Sequence, residues 1–297
     1  MSKAVSEDDR RLIDKQWGRD RRVGVVWNSL NRQTRPMGEK TGDIGAGSWG
    51  HLWNKYVPKD RPLKVLSPCC GIGWLELWVN KSCRVERIDA FDVSPSAIET
   101  AKANAAAAGV DCINYFVADG NVLDLGTLYD LIVISGGLHH INDLEGFCAT
   151  MRDHLKPDGV MIASEYVGPS YTQYTPRQVE LINACITLLP EKYRNQISGS
   201  RLTRYQNMTV EQWLEVDPSE SIRSADIVDV VRSTFGHVDL IDRGGAIVHM
   251  ALFQIAHNFD EDDPEDANWL DLLYKIEDAA MAAGEVPMCW ADFAAKR

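Results

Sequence analysis

Residues 63–76 read LKVLSPCCGIGWLE. An apolar run ends at Ser67 and Pro68, a turn carrying Gly71 and Gly73 follows, and a helix is predicted from about Trp74. Glycines at the carboxyl end of a strand let a ligand approach the backbone, and the next helix offers unpaired N–H groups at its N-terminus. The turn therefore suits a nucleotide-type ligand, although tight strand-to-helix turns use glycine without one.

Outward from that turn, short apolar runs alternate with helical patterns. VERIDAFDV (85–93), CINYFVAD (112–119), YDLIVISGG (129–137) and GVMIASEYV (159–167) join the first run as five strands. Such alternation predicts a parallel sheet with helices on both faces. Between the second and third strands Ser94 suits an N-cap and Pro95 a first helical residue. Ile98, Ala101, Ala105 and Ala108 then share a face before Gly109. HVDLID (237–242) and AIVHMALFQI (246–255), separated by Arg243, Gly244 and Gly245, read as a hairpin, which gives seven strands with an antiparallel last one.

Three stretches exceed this frame. Residues 1–60 read as a helix and a flap, with Gly38, Gly42, Gly45, Gly47 and Gly50 interleaved with Trp49 and Trp53, and with Trp27 as a further flap residue. Plain packing would explain the tryptophans equally well, and GEKT at Gly38 lacks the upstream glycine spacing of a phosphate loop. Within a domain spanning 61–258, residues 166–224 read as an inserted cap, with an amphipathic helix over 178–189 stopped by Pro190. Residues 259–297 read as an acidic linker and a last helix presenting Trp269, Leu272, Leu273, Ile276 and Ala280 on one face.

Asp92 closes the second strand 19 residues after Gly73, with Val93 beside it, where a carboxylate can accept from both hydroxyls of a ribose. Asp119 closes the third, followed by Gly120 and Asn121, where it could accept from an adenine amino group. A capping aspartate and an Asp-Gly turn are the plain readings. The strand ends converge on one crevice, however, and that favours a ligand. In the order VLSPCCGIGWLE, AFDVSPSAIETAKANA, VADGN, YDLIVISGGLHHI and LKPDGV, residues 60–255 resemble the class I S-adenosylmethionine-dependent methyltransferases.

The resemblance implies a Rossmann-like α/β fold: a seven-stranded, mostly parallel sheet with an antiparallel last strand, helices on both faces and a cap after strand five. It implies S-adenosylmethionine as cofactor, with Ser67, Cys69, Cys70, Gly71 and Gly73 near its methionine part, Asp92 and Val93 at the ribose and Asp119, Gly120 and Asn121 near the adenine. Ser135 and Gly136 complete the implied cofactor set. Ser67 and Cys69 depart from the acid and the glycine usual there. A dinucleotide-binding dehydrogenase would need G-x-G-x-x-G, and here Trp74, Leu75 and Glu76 follow Gly73 without the third glycine.

His139 and His140 end the fourth strand, at the edge where a methyl acceptor must sit. Transfer to an alcohol oxygen requires loss of the hydroxyl proton, for which an imidazole is suited. His140 is expected as the base, its side chain diverging from that of His139, with Glu165 the next candidate. Tyr166, Tyr171, Gln173, Tyr174 and Arg177, and His249 on the last strand, are expected to grip a polar acceptor. No metal is expected, because Cys69, Cys70 and the histidine pair lack the usual ligand spacing. EYVGPSYTQYTPRQVELINACITLLPEKYR, DPSESIRSADI and RGGAIVHM further resemble methyltransferases of bacterial glycan and specialised-metabolite gene clusters. The expected reaction is methylation of a hydroxyl on a sugar-like or other small polar metabolite. N-methylation of a small amine and a non-catalytic cofactor-binding scaffold are the alternatives.

Composition bounds the partners. With 43 acidic against 31 basic residues, the net charge of -12 repels phosphate backbones and anionic membranes, so neither nucleic acid nor a membrane is expected. The content of 45% apolar and 25% charged residues is globular. Seven cysteines, an odd number, suit free thiols in a reducing compartment. No run of about 18 apolar residues and no secretory apolar core is present. A cytoplasmic protein is expected, acting on a small-molecule acceptor, with a homodimer as an open option.

Overall fold

The computed structural model describes residues 4–17, 47–122 and 125–297. Its strands are β1 (Leu63–Pro68), β2 (Val85–Asp92), β3 (Ile113–Val117), β4 (Tyr129–Ser135), β5 (Leu155–Tyr166), β6 (His237–Asp242) and β7 (Trp290–Lys296). They form one sheet in the order β3-β2-β1-β4-β5-β7-β6. The first five are mutually parallel, and β7 runs antiparallel to both β5 and β6. Strand order reverses between β1 and β4, so the loops leaving these two strands part and open a crevice at the carboxyl edge. The unbroken apolar run of β4, Leu131 to Ile134, is fully buried, as a central parallel strand covered on both faces requires.

The helices are α1 (Glu7–Trp17), α2 (Gly47–Tyr56), α3 (Trp74–Ser82), α4 (Pro95–Ala107), α5 (Leu144–His154), α6 (Pro176–Leu188), α7 (Val210–Val216), α8 (Ile227–Thr234), α9 (Val248–Leu252) and α10 (Pro264–Ala282). On one face of the sheet Leu66, Ile132, Ile134 and Phe293 meet α5 and α8. On the other Val65, Ile88, Leu131 and Val133 meet α2, α3 and α4. A separate core joins α6, α9 and α10 through Ile182, Ile186, Leu252, Leu270 and Leu273. In α4 the sequence signals hold: Ser94 Oγ accepts from the Ala97 N–H, and Ile98, Ala101 and Ala105 are buried. Ala108, by contrast, is the exposed C-cap.

The expected hairpin is corrected. Residues 248–252 are helical, so His249 is not on a strand, and the antiparallel last strand is β7. A short continuous apolar run fits a buried helix as well as a strand. What decides is Glu277 of α10, whose buried carboxylate accepts from the Gly245, Ile247 and Val248 N–H groups and so caps α9. The boundary at 258 is corrected with it, because β7 lies inside the sheet. On α10 the buried residues are Ala267, Leu270, Leu273, Glu277 and Ala280, while Leu272 is exposed. Gly47, Trp49, Gly50 and Trp53, expected in a flap, belong to α2, where Trp49 and Trp53 pack on Trp78. Trp27, Gly38, Gly42 and Gly45 lie outside the described residues. Among the described residues no helix is long and apolar enough to cross a membrane. All seven cysteines are free of disulfides.

Candidate functional site

The floor of the crevice is the turn after β1. Gly71 and Gly73 have φ of +52° and +84°, and a Cβ on Gly73 would lie 2.6 Å from Tyr115 Oη. A Cβ on Gly71 would instead meet no atom within 4 Å, so this backbone faces open space. Cys69, where the resemblance expects glycine, holds φ of +54°. Gly137 accommodates it, since a Cβ there would lie 2.7 Å from Cys69 Cβ. Asp92 clamps the turn: its Oδ2 accepts from the Gly71 N–H at 2.9 Å and its Oδ1 from the Ser94 N–H at 2.9 Å. Burial raises the Asp92 carboxyl pKa despite these bonds. Val93 is half-buried beside it.

Position 67 carries no acid, yet a carboxylate stands next to it. Ser67 Oγ donates to Glu76 Oε1, both residues are fully buried, and Glu76 Oε2 has no hydrogen-bond partner. Burial pushes the Glu76 carboxyl up to about 7 from an ordinary 4.5. A carboxyl with a raised folded pKa stabilises the fold fully below its unfolded pKa and loses that contribution as pH rises through the folded pKa. Stability should therefore fall by about 3 kcal/mol through this group between pH 4.5 and about 7. In urea unfolding, Glu76→Gln should remove that much of the difference between pH 4.5 and pH 8. Equal pH dependence in the two proteins would rule the assignment out.

Asp119 accepts from the Asn121 N–H at 3.0 Å and its Nδ2 at 2.8 Å, and also from the Val5 N–H at 2.7 Å. Gly120 packs on Phe147, 2.9 Å from where a Cβ would sit. α1 follows Val5, and its Asp14 Oδ1 accepts from Ser94 Oγ, Ser96 N–H and Ser96 Oγ. The N-terminal segment thus reaches two of the strand-end loops, a contact that no local signal in residues 1–17 announces. At the end of β4, Ser135 lies opposite Ser164 of β5, and the Gly136 N–H donates to Ser164 O at 2.9 Å.

Beside these loops stands a wall of titratable groups. Glu165, at the end of β5, is fully buried. Its Oε1 accepts from the Gly137 and Leu138 N–H groups, both at 2.8 Å, and its Oε2 faces His139 Nδ1 at 3.0 Å. His140 Nδ1 lies 3.0 Å from Ser219 Oγ. The two imidazoles do not diverge as expected: a short 3-10 turn over Leu138–His140 sets their centroids 4.2 Å apart. Burial alone would lower the His139 pKa, but the Glu165 hydrogen bond and the charges of Glu220, Glu165 and Asp217 outweigh it and raise it. Burial, then the charge of His139, lowers that of His140.

The cap closes the wall. His139 Nε2 is 3.9 Å from Glu220 Oε1, and Ser219 Oγ donates to the buried Asp217 at 2.7 Å. These residues lie in the DPSES stretch, to which the sequence reading gave no role. The non-glycine residues with positive φ among the described residues are Cys69, Tyr171, Thr172 and Ser221, all at these loops, and the Tyr171 N–H bonds to Ser221 O. Backbone strain of this kind persists where surrounding contacts impose it, and it clusters at functional sites.

Of the expected acceptor residues, Tyr166, Tyr174 and His249 come together. Tyr166 lies edge-on to His139 at 6.3 Å between centroids, and His249 Nδ1 is 3.3 Å from both Tyr174 Oη and Trp290 Nε1. An indole N–H can only donate, so this nitrogen accepts, and burial pushes the His249 pKa down to about 3. Trp290 was missed because β7 was missed. Tyr171 borders the cap loop. Gln173 is committed to the backbone carbonyls of Tyr171 and Met208. Arg177 stands apart on the exposed surface, paired with Glu180 and Glu285.

Residues 65–159, about a third of the chain, match the family described as a methyltransferase domain. Over 102 residues the chain is 31% identical to a ubiquinone biosynthesis O-methyltransferase of Rickettsia conorii, covering 34% of each chain. Over 117 residues it is 29% identical to a malonyl-[acyl-carrier protein] O-methyltransferase of Halalkalibacterium halodurans, covering 37% of this chain and 41% of the relative. The match thus spans about a third to two-fifths of the length of these curated relatives. Among solved structures, a Haemonchus contortus phosphoethanolamine N-methyltransferase 2 in complex with S-adenosyl-L-methionine aligns with 99% of this chain and 60% of its own, at 14% identity and a TM-score of 0.54. That likeness shows the fold alone, a seven-stranded, mostly parallel Rossmann-like sheet.

Proposed function

We propose that this chain is an S-adenosylmethionine-dependent methyltransferase that methylates a hydroxyl of a sugar-like or other small polar acceptor. The observation that carries the reading is the wall of His139, His140 and Glu165 directly beside the three strand-end loops. The site suits that cofactor on its own chemistry. The Gly71 backbone faces open space, while Asp92 and Asp119 provide carboxylates at neighbouring strand ends. In this reading Cys69 to Gly73 border the methionine part, Asp92 the ribose, and Asp119, Gly120 and Asn121 the adenine. When bound, the cofactor supplies an electrophilic methyl group.

The chain's own residues do the rest. The loops and the cap orient the two reactants and exclude water, which brings most of the rate through proximity. The wall receives the side of the acceptor that loses its proton. Tyr166, Tyr174, His249 and Trp290 form an aromatic flank against which a small ring could pack. One observation favours a second reading, N-methylation of an amine that binds neutral: Glu220 and Asp217 place carboxylates where they would stabilise the positive charge that develops on the amine nitrogen as the methyl group arrives.

Calorimetry tests the cofactor assignment. S-adenosylmethionine and its demethylated product should bind with micromolar affinity and NAD should not. Asp92→Ala should weaken binding by about 1–3 kcal/mol, because ribose hydroxyls lose their acceptor and the Gly71 turn loses its clamp. Binding of NAD in place of S-adenosylmethionine would sink the proposal.

A further inference from the structure

His139, His140 and Glu220 each bring one potential ligand atom, and these atoms all lie within 4.8 Å of one another. Hydrogen bonding fixes which ring atoms are on offer. His139 Nδ1 faces a carboxylate oxygen, which can only accept, so the ring hydrogen is there and Nε2 points toward Glu220 Oε1. Ser219 gives its hydroxyl hydrogen to Asp217, so it accepts from His140 Nδ1, which leaves Nε2 as the lone-pair nitrogen of the neutral ring.

Each imidazole is therefore held from behind, one by Glu165 and the other by the Ser219 and Asp217 pair. Metal-ligating histidines are held in this way, by a carboxylate or another acceptor on the second ring nitrogen. Glu165, Asp217 and Glu220 also bring three carboxylates to two imidazoles, a surplus that a divalent ion would balance. Glu220 remains 17% exposed, so the cluster is reachable from solvent.

We propose that His139, His140 and Glu220 form a binding site for a divalent transition-metal ion on the acceptor wall. Two imidazoles and one carboxylate suit zinc, iron, cobalt or manganese, and three protein ligands leave a position open for an exogenous oxygen. Sequence spacing hid the site, because Glu220 lies 80 residues beyond His140 and arrives with the cap. The methyl-acceptor reading enters only in naming that oxygen. If the crevice takes a hydroxylated acceptor, its oxygen completes the coordination, the ion makes the hydroxyl more acidic, and its proton leaves to water while the imidazoles serve as ligands.

The test uses the full chain, stripped with a chelator and titrated with cobalt(II), read by visible absorption and by calorimetry. The expected result is one cobalt ion per chain with a saturable d–d spectrum. Glu220→Gln should weaken binding at least about 100-fold and Ser219→Ala about tenfold, both with unchanged thermal melting. No saturable spectrum in the wild type, or equal affinity in wild type and Glu220→Gln, overturns the site. In that case His139 and Glu220 are a plain ion pair. Because the titration involves no methyl transfer, the two proposals fail separately. A chain that binds cobalt at Glu220 but transfers no methyl to any acceptor keeps the metal site and loses the proposed function, and a methyltransferase that binds no cobalt does the reverse.

Discussion

Replacing His139 by alanine is expected to slow methyl transfer by about 100- to 10,000-fold, the loss expected when the wall can no longer draw off the acceptor proton, either directly or through an ion that His139 holds. The expectation moves from His140, which the sequence favoured, to its neighbour because of what each ring touches. Glu165 holds His139 in one orientation and is itself fixed by two backbone N–H groups, whereas His140 leans on a cap serine. Cofactor affinity should remain nearly unchanged, because the Asp92 clamp on the glycine turn does not involve His139. Alanine also leaves the buried Glu165 short of a partner, and that could cost stability. His139→Asn separates the effects: its amide can still donate to Glu165 but offers no imidazole. Label transfer from S-adenosylmethionine to a panel of hydroxylated small molecules is the measurement. If His139→Asn keeps more than about a tenth of wild-type turnover, the acceptor loses no proton at this wall and an amine acceptor becomes the better reading.

Residues 63 to 167 were readable because every signal there is local. Each strand carries a short apolar run, a glycine or an aspartate lies at or within three residues of each strand's end, and α4 carries its own cap and stop. Where structure depends on distant partners, the reading failed. The run at 246–255 has no local mark that says helix, and Glu277, some thirty residues on, supplies the cap. Glu76 looks like an ordinary polar helix residue until Ser67 is seen against it. Of the acceptor wall, the sequence singled out the histidine pair and Glu165, but Glu220 and Ser219 reach it only through the folding of the cap.

The same dependence on distant partners makes β7 the element most sensitive to change. WADFAAK holds three alanines and no β-branched residue, so its propensity for a strand is low. It is a strand because β5 and β6 flank it: Phe293 pairs with Ala163 on one side and Leu240 on the other. Phe293 is 1% exposed and belongs to the core under the sheet face that α5 and α8 cover. Phe293→Ala should therefore lower the unfolding free energy by about 3–5 kcal/mol, a large part of the roughly 5–15 kcal/mol that holds a typical domain together. Urea midpoints at constant slope would measure it, and a loss under about 1 kcal/mol would mean that β7 is not buried in this register. Removing residues 290–297 should be more severe still, since it bares the facing edges of β5 and β6 and leaves two strands that no longer touch. The damage should extend to the crevice. The pairing that sets Trp290 opposite Tyr166 also carries the indole N–H to His249, so a shortened chain that still folded would lack one side of the aromatic flank.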